Sequence, residues 1–236
     1  MKLFKNIKNW LENQEHLFYL FLFILIVPNM VLCFTEPLPF MAKVANVLLP
    51  FGCYYLLMTL SRNCGKMLWI LFLFLFFGAF QIVLLYLFGQ SIIAVDMFLN
   101  LVTTNSSEAL ELLDNLTPAI IAVIILYVPA LILGTISIIR KRKLTVEFIR
   151  RERRRAFLVL GISLLSLVGA YVQDSGYELK SDLYPLNVCY NVGLAFQRTA
   201  LTQDYHRTSK DFTFHARPTH PEGKREVYVM VVGETS

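Results

Sequence analysis

"LFYLFLFILIVPNMVLCF", residues 17–34, runs for eighteen positions without a charge. At a rise of 1.5 Å per residue, roughly 20 mainly apolar residues cross a hydrocarbon core of about 30 Å, so this run has the length and composition of a membrane-spanning helix. Residues 44–60, 67–88, 118–139 and 156–172 are built the same way. The pattern predicts an all-α membrane protein with five transmembrane helices. The second and fifth runs are the shortest, and a short span must thin the bilayer or lean on snorkelling flanks. Lys2, Lys5 and Lys8 ahead of the first run look like a signal-peptide n-region. No small-residue cleavage site follows, so the run is read as a retained helix.

Composition points the same way. Of 236 residues, 56% are hydrophobic and only 17% charged, with a mean hydropathy of +0.55. An ordinary soluble domain is far less apolar. The formal net charge of +5 does not argue for nucleic acid, because the cations cluster beside apolar runs, where membrane orientation needs them. Cys33, Cys53, Cys64 and Cys189 are scattered without CxxC spacing, which indicates neither a zinc site nor a disulfide framework.

The cations alternate in number from side to side. Residues 1–16 carry three, residues 61–66 two and "RKRKLTVEFIRRERRR" (140–155) nine, against Lys43 alone in the first intervening loop and none over 89–117. The positive-inside rule therefore puts the N-terminus in the cytoplasm and everything after residue 172 outside. The nine-cation loop is read as a topology anchor at the anionic inner leaflet.

Two outward segments are richer than connectors. In "VDMFLNLVTTNSSEALELLDNLTP" (95–118), Thr117 and Pro118 are spaced as an N-cap and first helical position. Asn100, Thr104 and Glu108 recur every four residues, so on one helix they share a face, drifting about 40° per step. An amide, a hydroxyl and a carboxylate together suit a zwitterionic head group, the first two donating to phosphate and the last pairing with an ammonium. A solvated polar face has the same spacing, and a capping box of Asn105 with Glu108 would start a new helix and break the face. In "DLYPLNVCYNVGLAFQRTAL" (182–201), Leu186, Cys189, Tyr190, Gly193 and Leu194 form an apolar face, and Asn187, Asn191 and Arg198 a polar stripe. That predicts an interfacial helix. Residues 202–226 read as a polar linker in which His206, His215 and His220 are solvated.

The chain closes on "REVYVMVVGETS" (225–236). Its β-branched run without alternation predicts a strand buried on both faces of a parallel sheet. Ligands bind beyond the carboxyl ends of such strands, which places Gly233, Glu234 and Thr235 where a site would be.

Taken together these features resemble the bacterial inner-membrane phosphoethanolamine transferases of the alkaline phosphatase and sulfatase superfamily. The resemblance rests on five N-terminal spans, "NLVTTNSSE" matching an N-x-x-x-T-x-x-x-E pattern, and a strand ending in "VVGET". It implies that Asn100, Thr104 and Glu108 bind the head group of the phosphatidylethanolamine donor and that Glu234 is a zinc ligand. It implies too that phosphoethanolamine passes through a covalent threonine intermediate to lipid A or another envelope acceptor. Thr235 is not the family's nucleophile, which lies some tens of residues further on, so no catalytic residue is expected within this chain, which alone is expected to be inactive. The expected organisation is a transmembrane domain over 1–173, a periplasmic interfacial helix and linker over 174–224, and the start of a truncated α/β catalytic domain over 225–236. Glycerol-phosphate transferases that build lipoteichoic acid resemble this layout too, and a non-catalytic membrane anchor is the third reading. A transporter fits less well, because the spans carry almost no internal charge.

Overall fold

The computed structural model describes the backbone of residues 10–88 and 106–208 and the side chains of residues 10–86 and 116–201. Among these residues all regular structure is helical and there is no strand; the strand expected near the C-terminus lies outside them. The chain divides into two units, Met1–Gln197 and Arg198–Ser236, and everything below up to residue 197 concerns the first.

The helices described in full are, in order, α1 (Gln14–Thr35), α2 (Phe40–Met58), α3 (Cys64–Ile70), α4 (Phe72–Phe88), α5 (Ser106–Ile139), α6 (Val146–Gln173), α7 (Leu179–Asp182) and α8 (Leu186–Thr208), among the described residues. Four are long and apolar enough to cross a membrane, and a fifth crossing is added if the bent pair α3 and α4 counts as one span. α1 lies against α2, α3, α4 and α5, whereas α6 packs chiefly along α2. The core between them is aromatic and aliphatic, with Phe18, Phe21, Met58 and Leu68 fully buried and Phe18 set edge-on to Phe148 at 5.4 Å. Outside, Ile121, Ile124, Ile125, Val128 and Ile132 of α5 are exposed. Their i, i+3, i+4, i+7, i+11 spacing makes one apolar face, a surface suited to lipid rather than water.

Two ends can be told apart. At the basic end, Gln14 accepts from the Ser137 hydroxyl at 2.6 Å, Arg142 donates to the Glu12 carbonyl at 2.8 Å, and the connectors after α2 and α5 pair through Leu144 N–H to Arg62 O at 2.7 Å. At the far end, Leu32 of α1, Leu84 and Leu85 of α4, Tyr184 and Val188 form a separate cluster. The bent pair thus starts beside Cys64 at the basic end and finishes at the far one.

Four expectations are corrected. The third span is not straight: α3 and α4 meet at 63°. Neither proline nor glycine stands at Leu71; instead α3 is held to α5, where Trp69 Nε1 donates to Thr135 Oγ1 at 3.1 Å and Gly65 abuts Gly134. The nine-cation segment is not all loop. Thr145 caps α6 by accepting from Phe148 N–H at 3.2 Å, so residues 146–155 are its first turns. A helix of 28 residues is about 42 Å long, enough to keep those turns outside the hydrocarbon. Within them Glu152 is fully buried, bonded to the Tyr55 hydroxyl and to Arg151 and Arg155 at 2.7 and 3.0 Å.

The helix of the fourth span, α5, does not start at Thr117: it is already helical from Ser106 and runs through Pro118. The good helix formers of "SSEALELLDNL" carry it, at the loss of the one backbone bond a proline cannot make. Finally, α8 continues to Thr208, because no Gly or Pro interrupts the chain between Gly193 and Pro218. His206 therefore lies on a helix and not in a linker.

Candidate functional site

The residues singled out by the sequence fall at the margins of what is described. Asn100, Thr104 and Glu234 lie outside the described residues, as do His215 and His220. Glu108 is described in backbone only, in the first turn of α5. Because α5 ends at the basic end, beside Ser137 and Arg142, its first turn belongs to the opposite end, and a single continuous helix joins Glu108 to the fourth span.

The far end itself is built around two asparagines inside apolar helices. Pro50 has no N–H, so the carbonyl of Asn46 one turn earlier lacks its helical donor. Asn29 of α1 supplies it, Nδ2 donating to Asn46 O at 3.0 Å and to Tyr184 O at 2.7 Å. Asn46 Nδ2 donates to Asp182 O at 2.6 Å, and its Oδ1 accepts from the Tyr177 hydroxyl. Both asparagines are buried. In hydrocarbon an unmade hydrogen bond is costly, so each amide is a strong anchor for what it holds. What it holds is the segment 177–184, which leads into α8. Gln173 Oε1, accepting from Met41 N–H at 2.9 Å, ties the preceding end of α6 to the start of α2. Burial pushes the Tyr177 and Tyr184 hydroxyls above their ordinary value, so both stay neutral at physiological pH.

At the start of α8, Asn187, Val188 and Ala195 are buried, whereas Leu186, Tyr190 and Phe196 are exposed. Of the polar stripe Asn187 is buried and Asn191 half-buried, and the apolar face is left outward, where lipid at a bilayer surface can cover it.

Beneath this segment an apolar groove of about 320 Å³ runs between Leu49, Cys53 and Leu57 of α2, Phe74 of α4, and Leu183 and Leu186. Three tyrosine hydroxyls lie near it. Those of Tyr54, Tyr127 and Tyr184 are buried without a hydrogen-bond partner among the described residues. Two of them close on Gly78, where an added Cβ would come within 2.9 Å of Tyr127 Oη and 3.5 Å of Tyr184 Oη. The arrangement can hold a hydrocarbon chain alongside the bundle and fix the segment above it. Sequence reading missed Asn29 and Asn46; their signal was an amide inside an otherwise apolar span, where polar groups are expensive.

All four cysteines are free thiols. Among the described residues no three His, Cys, Asp or Glu side chains come together in a way that could hold a metal ion. No family model, no curated protein and no solved structure matches this chain.

Proposed function

We propose that this chain is the membrane portion of a phosphoethanolamine transferase of the bacterial inner membrane. It would embed and feed a periplasmic sulfatase-like site that moves phosphoethanolamine from phosphatidylethanolamine to lipid A or another envelope acceptor. The observation that carries the reading is that Glu108, the carboxylate of the Asn100, Thr104, Glu108 pattern, lies on the helix that continues as the fourth span, at the end opposite the basic one. A carboxylate there can pair with the ethanolammonium of a lipid whose tails lie beside the bundle. Two features of the far end support a lipid substrate. The groove beneath residues 183–186 is apolar, and the Asn29 and Asn46 amides hold the segment above it.

In this reading bundle and interfacial helix bring the donor's phosphate to the periplasmic side, with the N-terminus cytoplasmic and α3 and α4 together making one broken span. Asn100 and Thr104 donate to the phosphate oxygens and Glu108 holds the ammonium. Zinc, with Glu234 as one ligand, belongs to the proposed catalytic domain and would offset charge on the phosphoryl oxygens when bound. The described residues do not furnish that centre, and their part is to bind and orient lipid.

Replacing Glu108 by Ala or Gln in the complete gene product tests the head-group role, with modified lipid measured by mass spectrometry. Loss of a charge-assisted hydrogen bond worth about 1.5–3 kcal/mol lowers transfer by roughly ten- to a hundredfold. Unaltered transfer in both variants removes Glu108 from the donor site.

A further inference from the structure

At the basic end a second cleft, of about 330 Å³, opens between the last turn of α2 and the first turns of α6. Three of its lining residues are arginines, Arg62, Arg150 and Arg153, and no carboxylate lines it. None of the three is in an ion pair among the described residues, whereas nearby Arg151 and Arg155 are both committed to Glu152, and Arg140 and Arg142 to Glu12. Two of the guanidinium groups are held in place by uncharged oxygens. Arg153 donates to Thr59 O at 2.8 Å and to Thr59 Oγ1 at 3.4 Å, and Arg62 donates to Leu144 O at 3.0 Å. A guanidinium has five N–H donors, so these contacts fix the groups while leaving most of their hydrogen-bonding capacity and all of their charge. The rim is apolar: Leu60 is 62% and Val146 46% exposed, at the ends of two helices that are hydrocarbon-like further in.

From this juxtaposition of three arginines outside any ion pair, two of them pre-positioned, and an apolar rim, we infer that the cleft is a binding site for one anionic phospholipid of the adjacent leaflet. The cations would hold its phosphate diester, and its glycerol and upper chains would lie on Leu60 and Val146. Arg is suited to the task because its planar fork matches phosphate oxygens in pairs. The absence of a lining carboxylate selects the head group, since an ethanolammonium would find no counter-charge here and three cations favour a net negative lipid such as phosphatidylglycerol. The site is separate from the donor site at the far end. It assigns a specific lipid contact to part of a basic segment that orientation alone would explain as diffuse attraction.

The experiment is native mass spectrometry of the full-length protein in detergent, titrated with phosphatidylglycerol, with phosphatidylethanolamine and with inorganic phosphate in separate arms. The expected result is one phosphatidylglycerol retained in preference to phosphatidylethanolamine and not displaced by inorganic phosphate. Its affinity should fall roughly fivefold in R150Q and in R62Q, as loss of a charge at a lipid phosphate predicts. R154Q, an equal charge change on the same helix outside the cleft, should leave it within twofold. R153Q is not relied on, since Arg153 also caps α2. Equal weakening in R154Q, or unchanged binding in R62Q and R150Q, overturns the site. Displacement by inorganic phosphate overturns its assignment to lipid.

Discussion

Gly65 shows how much one hydrogen atom decides in this bundle. A Cβ built on it would sit 2.1 Å from the carbonyl oxygen of Gly134 and 3.0 Å from that residue's Cα. The obstacle is backbone on a neighbouring helix, so nothing can rotate away, and α3 would have to lift from α5. The reverse substitution is milder, because a Cβ on Gly134 meets only the tip of Leu68 at 3.1 Å. Gly65→Ala is therefore expected to cost about 1–3 kcal/mol or more by overpacking, and Gly134→Ala clearly less. Thermal unfolding of the purified protein in detergent measures both; equal midpoints for the two variants would show that the close approach is not structural. The pair was not legible in the sequence. Each is an isolated glycine, in "NCGK" and in "LILGTIS", 69 positions apart, and no local pattern joins them. Glu108, by contrast, was singled out in the sequence by its four-residue spacing from Asn100 and Thr104, and its backbone lies on α5.

At the scale of elements, the joint between α1 and α2 depends on a defect. Pro50 opens a gap in α2, and Asn29 of α1 fills it while also holding Tyr184. Asn29→Leu is expected to destabilise the protein by about 1–2 kcal/mol, since two buried carbonyls lose their donor. If the gap is the cause, Pro50→Ala restores the missing N–H, and the Asn29→Leu cost should be smaller in that background by several tenths of a kcal/mol. A double-mutant cycle in denaturant reads the coupling, and strict additivity would mean that the amide serves Tyr184 alone. The apolar runs announced α1 and α2, because burial in lipid demands them. The defect and its repair stayed hidden, because Asn29 and Asn46 are seventeen residues apart on different helices. The same limit applies to α6 and to the 63° bend. "VEFIRRERRR" has the composition of a solvated loop as much as of a helix continuing out of the membrane. The bend at Leu71 arises from what α3 touches and has no residue of its own to mark it.

For the molecule as a whole, the decisive quantity is whether the chain crosses the bilayer four times or five. Composition allows either, since α3 and α4 could form a re-entrant pair or one broken span. The contacts favour crossing: α3 begins against Gln14 at the basic end, where Cys64 Sγ lies 3.3 Å from Gln14 Oε1, and α4 carries Leu84 and Leu85 to the cluster of Leu32 and Tyr184. Five crossings put the three cations of residues 1–16 and the nine of residues 140–155 on the same face of the membrane, opposite the segment 174–185, as positive-inside asymmetry requires. This can be read directly by single-cysteine labelling in a cysteine-free background. Ser175→Cys, in the turn after α6, should react with a membrane-impermeant maleimide in intact spheroplasts, and Lys143→Cys only after the membrane is opened. A cysteine placed at Asn13 should behave like the one at 143. Labelling of Asn13→Cys and Ser175→Cys from the same side would mean an even number of crossings. It would also move the interfacial helix to the N-terminal side of the bilayer and end the case for an outward-facing lipid site.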